Sequence, residues 1–262
     1  VPTDSSVFDG HIAAWLAEQG EPWNRLKYAV TQANLARHLP PGPLAVLDAG
    51  GGNGADSLPL ALAGHAVTIV DYSAEMLAAA ARRADELGVS AHVTTRAGDL
   101  ARLPELFPQP QFDVVLCHNV LQYVDDVSAL IAALAGALKA GGLLSLISVN
   151  RYAAPYRAAF FLGDLQVAYD LLDAPVDRAL LFDTPVRHYS ADEVAALLPG
   201  ASLAPLADYG IRCLYDYWGD NERKRDPAVI AQLDRLELAF TDRHPYKLLA
   251  RFFQVVAEKR RA

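Results

Sequence analysis

Ala45-Val46-Leu47-Asp48-Ala49-Gly50-Gly51-Gly52-Asn53-Gly54 is the stretch from which the fold can be read. Its apolar opening holds no turn residue and reads as a buried strand ending at an acid. The run of glycines after it forces a tight turn, in which the backbone comes close to whatever lies above it. A helix-like run, Ser57 to Leu62, comes next. Strand, glycine turn and helix open a nucleotide-binding βαβ unit, with the ligand beyond the carboxyl end of the strand. A glycine string can also be a plain surface turn, so the reading depends on the strands and acids downstream.

Ala66 to Val70 is a second apolar, β-branched run, and it ends in Asp71. An acid about 20 residues past a glycine turn, at the tip of the next strand, is placed to accept both hydroxyls of a ribose. Another acid, Asp99, comes after the strand-like His92-Val93-Thr94-Thr95, within Ala97-Gly98-Asp99-Leu100. Phe112 to Cys117 reads as a fourth strand leading into His118-Asn119-Val120-Leu121. A helical stretch from Val127 to Leu138 is closed by Lys139-Ala140-Gly141-Gly142, and Leu143 to Val149 reads as strand five. Over 44–149 this alternation predicts a parallel sheet covered by helices on both faces.

VLDAGGGNG, VDYS, AGDL, FDVVLCHNVLQYV and LKAGGLLSL, in that order, resemble the class I S-adenosylmethionine (SAM) dependent methyltransferases, and the resemblance covers most of the chain. It implies an α/β fold: a Rossmann-like seven-stranded sheet with helices on both faces and an insertion after strand five. It also implies roles for residues. Asp48 with Gly50, Gly51 and Gly52 would cradle the methionine part of SAM, and Asp71 would hold the ribose. Tyr72 and Met76 would pack beside the adenosine, and Gly98, Asp99 and Leu100 would bracket the adenine. His118 falls at the tip of strand four, facing the sulfonium. S-adenosyl-L-homocysteine would be the product. Dinucleotide enzymes with a similar opening carry G-x-G-x-x-G, where this chain has Gly50-x-Gly52-x-Gly54.

The 262 residues suit one large α/β domain, and 52% hydrophobic residues suffice for a continuous core. No apolar run approaches the roughly 20 residues of a spanning helix, and no signal-type leader opens the sequence as given, so a soluble cytoplasmic protein without membrane contact is expected. Cys117 and Cys213 sit in apolar, strand-like contexts as buried thiols, and no Cys/His spacing suggests a metal. The net charge of −8 counts against a large nucleic-acid footprint. Arg223-Lys224-Arg225 and Lys259-Arg260-Arg261 are small basic clusters that read as solvated helix ends.

Within one domain, four parts are expected. Residues 1–43 form an N-terminal helical lid: one helix over 7–20 with Ile12, Trp15 and Leu16 inward, and a second from Trp23 to His38 with Leu26, Val30, Leu35 and Leu39 on its apolar face. Lys27 on that helix could reach the SAM carboxylate, or stand as an exposed lysine. Residues 44–149 form the SAM-binding core, with Ser73 capping the helix after Asp71. Residues 150–189 break the alternation and form a substrate cap rich in aromatics and arginines. Residues 190–262 supply the remaining helices and strands six and seven. Ser190-Ala191-Asp192-Glu193 is a capping box, Leu203 to Arg212 strand six, and Tyr215-Asp216-Tyr217-Trp218 an exposed aromatic loop. Pro227 to Phe240 is a helix with Leu233, Leu236 and Phe240 inward, and Lys247 to Glu258 the last strand.

Transfer from a sulfonium asks the protein for alignment and exclusion of water; a base is needed only where the acceptor carries a proton. His118 is the best-placed candidate base, and a histidine that merely hydrogen-bonds cofactor or backbone is the competing reading. Within the family, the strand-four region, LKAGGLLSLISVN and the carboxyl-terminal Gly210 to Tyr217, Arg225-Asp226 and Leu236-Glu237 resemble the bacterial tRNA 5-carboxymethoxyuridine methyltransferases. That resemblance implies a carboxylate acceptor on tRNA, with Arg212 pairing it and Tyr215 beside it. Two departures are visible: Asp173 to Arg178 is almost neutral where that family has a lysine-rich run, and Lys27 stands where it has an arginine. A small-molecule acceptor is therefore the alternative, and a SAM-binding protein without transfer activity a third. Nothing in the sequence speaks to oligomeric state.

Overall fold

Seven strands build one sheet around that glycine turn. In the computed structural model, which describes residues 19–173, 176–179 and 184–261, the strands are β1 (Ala45–Ala49), β2 (Ala66–Asp71), β3 (Val93–Ala97), β4 (Phe112–His118) and β5 (Leu138–Val149). A separate hairpin, β6 (Val176–Ala179) and β7 (Thr184–Arg187), precedes β8 (Leu203–Ile211) and β9 (Phe252–Lys259). The sheet order is β3-β2-β1-β4-β5-β9-β8. β1 pairs parallel with β2 and β4, β2 with β3, and β4 with β5. β9 alone runs backwards, antiparallel to both β5 and β8.

The helices are α1 (Pro22–Ala36), α2 (Leu58–Leu62), α3 (Ala74–Glu86), α4 (Leu103–Leu106), α5 (Val127–Ala137), α6 (Ala153–Arg157), α7 (Leu165–Asp170), α8 (Ala191–Leu197) and α9 (Pro227–Phe240). Alternate strand residues feed two cores. Val46, Val114 and Leu116 pack with Leu35, Leu58, Ile69 and Leu77 on one face. Leu47, Val115, Cys117, Leu144 and Leu146 pack with Leu121, Ile131, Leu134 and Leu198 on the other. Burial on both faces explains why these strands read as unbroken apolar runs. Each fully buried leucine contributes about 1.5–3 kcal/mol. A third cluster joins α1 to the far side of the sheet: Leu26 and Val30 against Ile147, Ile211, Tyr215 and Leu233.

The order reverses at β1, between β2 and β4, which puts a crevice at the carboxyl ends of those strands. The register carries the same rim across the sheet. His118 pairs with Ile147, Val149 with Phe252, and Ile211 with Phe252. Arg212 and Arg251 are the next residues outward, joined by Arg251 N–H donating to Arg212 O at 3.0 Å. With strands about 4.8 Å apart, β1 and β8 tips stand roughly 19 Å from each other along one edge. The insertion between them is closed at its base: Arg151 N–H donates to Tyr189 O at 2.9 Å, and Asn150 bridges Tyr189.

Several expected boundaries move. The helix expected over 7–20 lies, but for its last two residues, outside the described residues. Strand five starts at Leu138, because the chain pairs with β4 through an irregularity opposite Phe112 to Val114. The last strand starts at Phe252, since Tyr246–Leu249 forms a 3-10 turn and Lys247 pairs with Asp208 at 2.7 Å. In α9 the inner positions are Leu233 and Glu237, while Leu236 is exposed. Tyr215-Asp216 is no exposed loop; both residues are buried, and the segment Tyr215–Tyr217 is a 3-10 turn. Lys224 is not a solvated helix end but is 2% exposed. Lys259 is likewise engaged, its ammonium donating to Ala135 O and Leu138 O at the end of α5. The capping box at Ser190 and Glu193 and the Ser73 cap of α3 are present as expected. Among the described residues, no helix is long and apolar enough to cross a membrane.

Candidate active site

The turn after β1 is held to β2: Gly50 and Gly51 N–H groups donate to Val70 O at 2.8 and 3.2 Å. Gly50 and Gly52 have φ of +76° and +52°, and side chains there would strike Val120 and Met76. A Cβ on Gly51 would lie 2.3 Å from the Asp48 carboxyl carbon. Only glycine fits. Asp71 is buried at the tip of β2, where its carboxylate accepts from Gly52 N–H and Ser73 N–H, both at 2.9 Å. Asp48 is 1% exposed, and burial, then the Asp56 charge, pushes it up to about 7. One of its oxygens, Oδ2, is buried without a hydrogen-bond partner. Further out, Asp99 caps the short turn Leu100–Arg102 by accepting from Ala101 N–H, half-buried beside buried Leu100. Gly98 N–H donates to Asp71 O at 3.0 Å, so the β3 tip is tied to the β2 tip. Asp48, Gly50 to Gly52, Asp71, Met76 and Gly98 thus come together on one rim. An unsatisfied buried carboxylate oxygen and side-chain-free backbone suit an amino-acid nucleoside such as the one the resemblance implies.

His118 faces inward from this rim. Its Nδ1 lies 3.1 Å from Asp56 Oδ1 and its Nε2 2.9 Å from Ser145 Oγ. In the polar chain that continues from here, Gln254 donates to Ser145, Asn34 donates to Gln254 and Thr241, and Thr241 donates to Gly210 O. Acid, histidine and serine stand in the order of a hydrolase triad. Ser145, however, is fully buried and already accepts from Gln254, so it offers no nucleophile to a substrate. The network instead joins the glycine turn, β4, β5, β9 and α1. His118 Nε2 is hydrogen-bonded within it and Nδ1 faces the Asp56 carboxylate, so the geometry favours the hydrogen-bonding histidine over the base.

Lys27 bridges the two ends of the rim. Its ammonium is buried over the Tyr28 and Phe252 rings, 4.9 and 5.4 Å from their centres. Burial pulls its pKa down, Asp56 pulls it back up, and Arg212 presses it down again. Beyond it a cavity of about 160 Å³ is lined by Trp23, Phe161, Arg212, Tyr215, Asp216, Asn221 and Lys224. Arg212 sits in the left-handed region, φ +61°, a conformation costing a non-glycine residue on the order of 1 kcal/mol. Glu237 holds it there: its buried carboxylate accepts from the next three N–H groups, Cys213, Leu214 and Tyr215, at 2.6, 2.8 and 2.7 Å. The Arg212 guanidinium pairs with Asp216 and lies over Phe252. Lys224 Nζ donates to Asn221 at 3.0 Å and faces the Tyr215 and Phe161 rings. Its pKa is lowered chiefly by burial. Arg251 is pushed down to about 9 by burial and then by Arg157, while Asp216 opposes the fall. A guanidinium remains charged at neutral pH even so. Burial and Asp234 push the Tyr215 phenol up to about 12, so it keeps its proton. Its hydroxyl donates to Lys224 O at 3.3 Å.

Arg212 and Tyr215, singled out from sequence, therefore meet in one cavity, away from His118. Asp216 and Lys224 were not anticipated in that cavity, nor Arg157, Glu237 and Arg251 near it, nor Asp56 beside His118. Lys224 was hidden in a basic run, and Asp56 comes after the glycine turn without a spacing that marks it.

Comparison with known proteins agrees with the geometry. Residues 46–142 match a family described as a methyltransferase domain. The chain is 29% identical to tRNA 5-carboxymethoxyuridine methyltransferase of Escherichia coli, over 92% of this chain and 90% of that one. It is 30% identical to ubiquinone biosynthesis O-methyltransferase of Paramagnetospirillum magneticum, over 60% of this chain and 67% of that one. A SAM-dependent methyltransferase structure from Mesorhizobium loti shares the fold with a TM-score of 0.60 at 23% identity, covering 89% of this chain and 99% of that one.

Proposed function

This chain belongs to the SAM-dependent methyltransferases, and on that premise we propose that it esterifies a carboxylate, the acid of a modified wobble uridine in tRNA. The observation that carries this reading is the pairing of Arg212 and Lys224 with Asp216 in an aromatic-walled cavity, with Arg251 and, next to it, Arg157 close to the same group of charges. A carboxylate entering there gains charge-assisted bonds that offset the several kcal/mol of its own desolvation. Bound there, SAM would supply an activated methyl carbon; a carboxylate oxygen would attack that carbon while the C–S bond breaks with its electron pair going to sulfur, which balances to a methyl ester and neutral S-adenosylhomocysteine. No proton has to leave such an acceptor, which agrees with a His118 whose Nε2 is bonded to Ser145 and whose Nδ1 faces Asp56, and with a Tyr215 that stays protonated.

The protein's part is alignment, for which about 7–11 kcal/mol is available in general. Asp71 holds the sugar end of the cofactor, with Tyr72, Met76 and Asp99 to Leu100 along the base. Asp48, Gly50 to Gly52 and Lys27 attend its amino-acid end. Arg212 and Lys224 fix the acceptor, and Phe161 from the segment after β5 and Trp23 from α1 wall it in. A tRNA acceptor would put the activity in the cytoplasm.

A small acidic metabolite is the second reading. It is favoured by the net charge of −8 and by the O-methyltransferase relative from ubiquinone biosynthesis. Incubation with methyl-labelled SAM, bulk tRNA and a metabolite extract separates the two. Label in tRNA supports the first reading, and label confined to small molecules supports the second.

A further inference from the structure

Between Tyr152 and Leu162 the cap presents a surface that the cavity does not account for. α6 and the wider π-turn after it (Ala158–Leu162) turn Ala153, Ala154 and Ala158 inward. Tyr152, Tyr156 and Phe160 are left outside, 46%, 44% and 69% exposed. The Tyr156 and Phe160 rings are nearly parallel, 17° apart with centroids 6.4 Å from each other. Tyr217 stands edge-on across both, at 81° and 80°, its hydroxyl bonded to Leu249 O. The next residue, Phe161, turns back to line the cavity, with Arg157 and Lys224 each 5.8 Å from its ring. The ledge is thus continuous with the cationic cavity. Flat apolar faces beside clustered positive charge complement a chain in which flat bases alternate with phosphates.

We propose that the Tyr156–Phe160–Tyr217 ledge stacks nucleobases flanking the acceptor, so that a single-stranded RNA loop is bound in preference to the free nucleoside. This rests on the tRNA reading above. It also accommodates the acidic total charge, because stacking with a few phosphate contacts needs no broad basic face.

The test uses the full chain and a fluorescein-labelled, unmodified seven-nucleotide RNA, read by anisotropy. Light scattering and methyl transfer to an acid-bearing RNA loop and to the matching nucleoside are measured alongside. Phe160→Ala is expected to weaken RNA binding about tenfold, with SAM affinity and nucleoside turnover unchanged. Equal RNA binding by the wild type and Phe160→Ala overturns the proposal. So does a wild-type dimer that this substitution dissociates, which would give the ledge to a second copy. RNA bound through the ledge without transfer to either acceptor supports the ledge and sinks the carboxylate reading. Transfer to both acceptors with no ledge effect sinks the ledge alone.

Discussion

Replacing Glu237 with Gln separates the acceptor end of the site from the cofactor end. Glu237 does not line the cavity; it holds the turn that carries Arg212 and Tyr215. Its Oε1 accepts from Leu214 and Tyr215, and its Oε2 from Cys213. A glutamine keeps one acceptor oxygen and turns an NH₂ group towards the third N–H. One charge-assisted bond, about 1.5–3 kcal/mol, is lost outright and the other two become neutral. The sum is about 3 kcal/mol of stability, or about 6–12 °C in Tm for a chain of this size. Part of what is lost is the restraint on Arg212 at φ +61°, so the guanidinium no longer stays in place over the cavity. Thermal unfolding, SAM calorimetry and acceptor kinetics are the assays. Expected are a lowered Tm, SAM affinity within twofold of wild type, and kcat/KM for the acidic acceptor down tenfold or more. A Tm within 2 °C of wild type refutes the clamp. Equal losses for SAM and acceptor refute the separation of the two ends.

The other expectations concern single groups. Lys224→Met should raise KM for an acidic acceptor about tenfold or more, the weight of a charged hydrogen bond, and leave SAM affinity unchanged by calorimetry. Asp71→Ala should weaken SAM binding by about 1.5–3 kcal/mol, and unchanged affinity would remove it from the ribose. Asp48, raised from 3.8 to about 7, keeps its proton in the folded state where the unfolded chain has released it. Stability of the ligand-free protein should therefore drain away as pH rises from about 4 to 7, by about 4 kcal/mol at most. Asp48→Asn should flatten that slope and raise Tm at pH 8 more than at pH 4.5; an unchanged slope in denaturant titrations at both pH values argues against it.

The cofactor half of the molecule was legible because its constraints are local. Glycines that must lack a Cβ, and acids at strand tips, arise from short-range geometry and recur at readable spacings. The reversed strand β9 was not marked, since a strand buried on both faces looks the same in either direction. The acceptor half depends on long-range meetings. Lys224 reaches Phe161 across the cap, Glu237 reaches back to Cys213 from another helix, and Asp216 is buried only because Arg212 comes to it. In sequence those residues are a basic run, a helix glutamate and a loop aspartate. His118 was found by its place at the β4 tip, but its partners Asp56 and Ser145 lie on other elements and decide what it can do.

The most direct measurement is the chemical nature of the transferred methyl. Label moved from SAM to tRNA or to a purified acidic acceptor should sit in an ester and leave as methanol in mild alkali. Label that survives alkali, on nitrogen, carbon or an ether oxygen, would contradict a carboxylate held by Arg212 and Lys224.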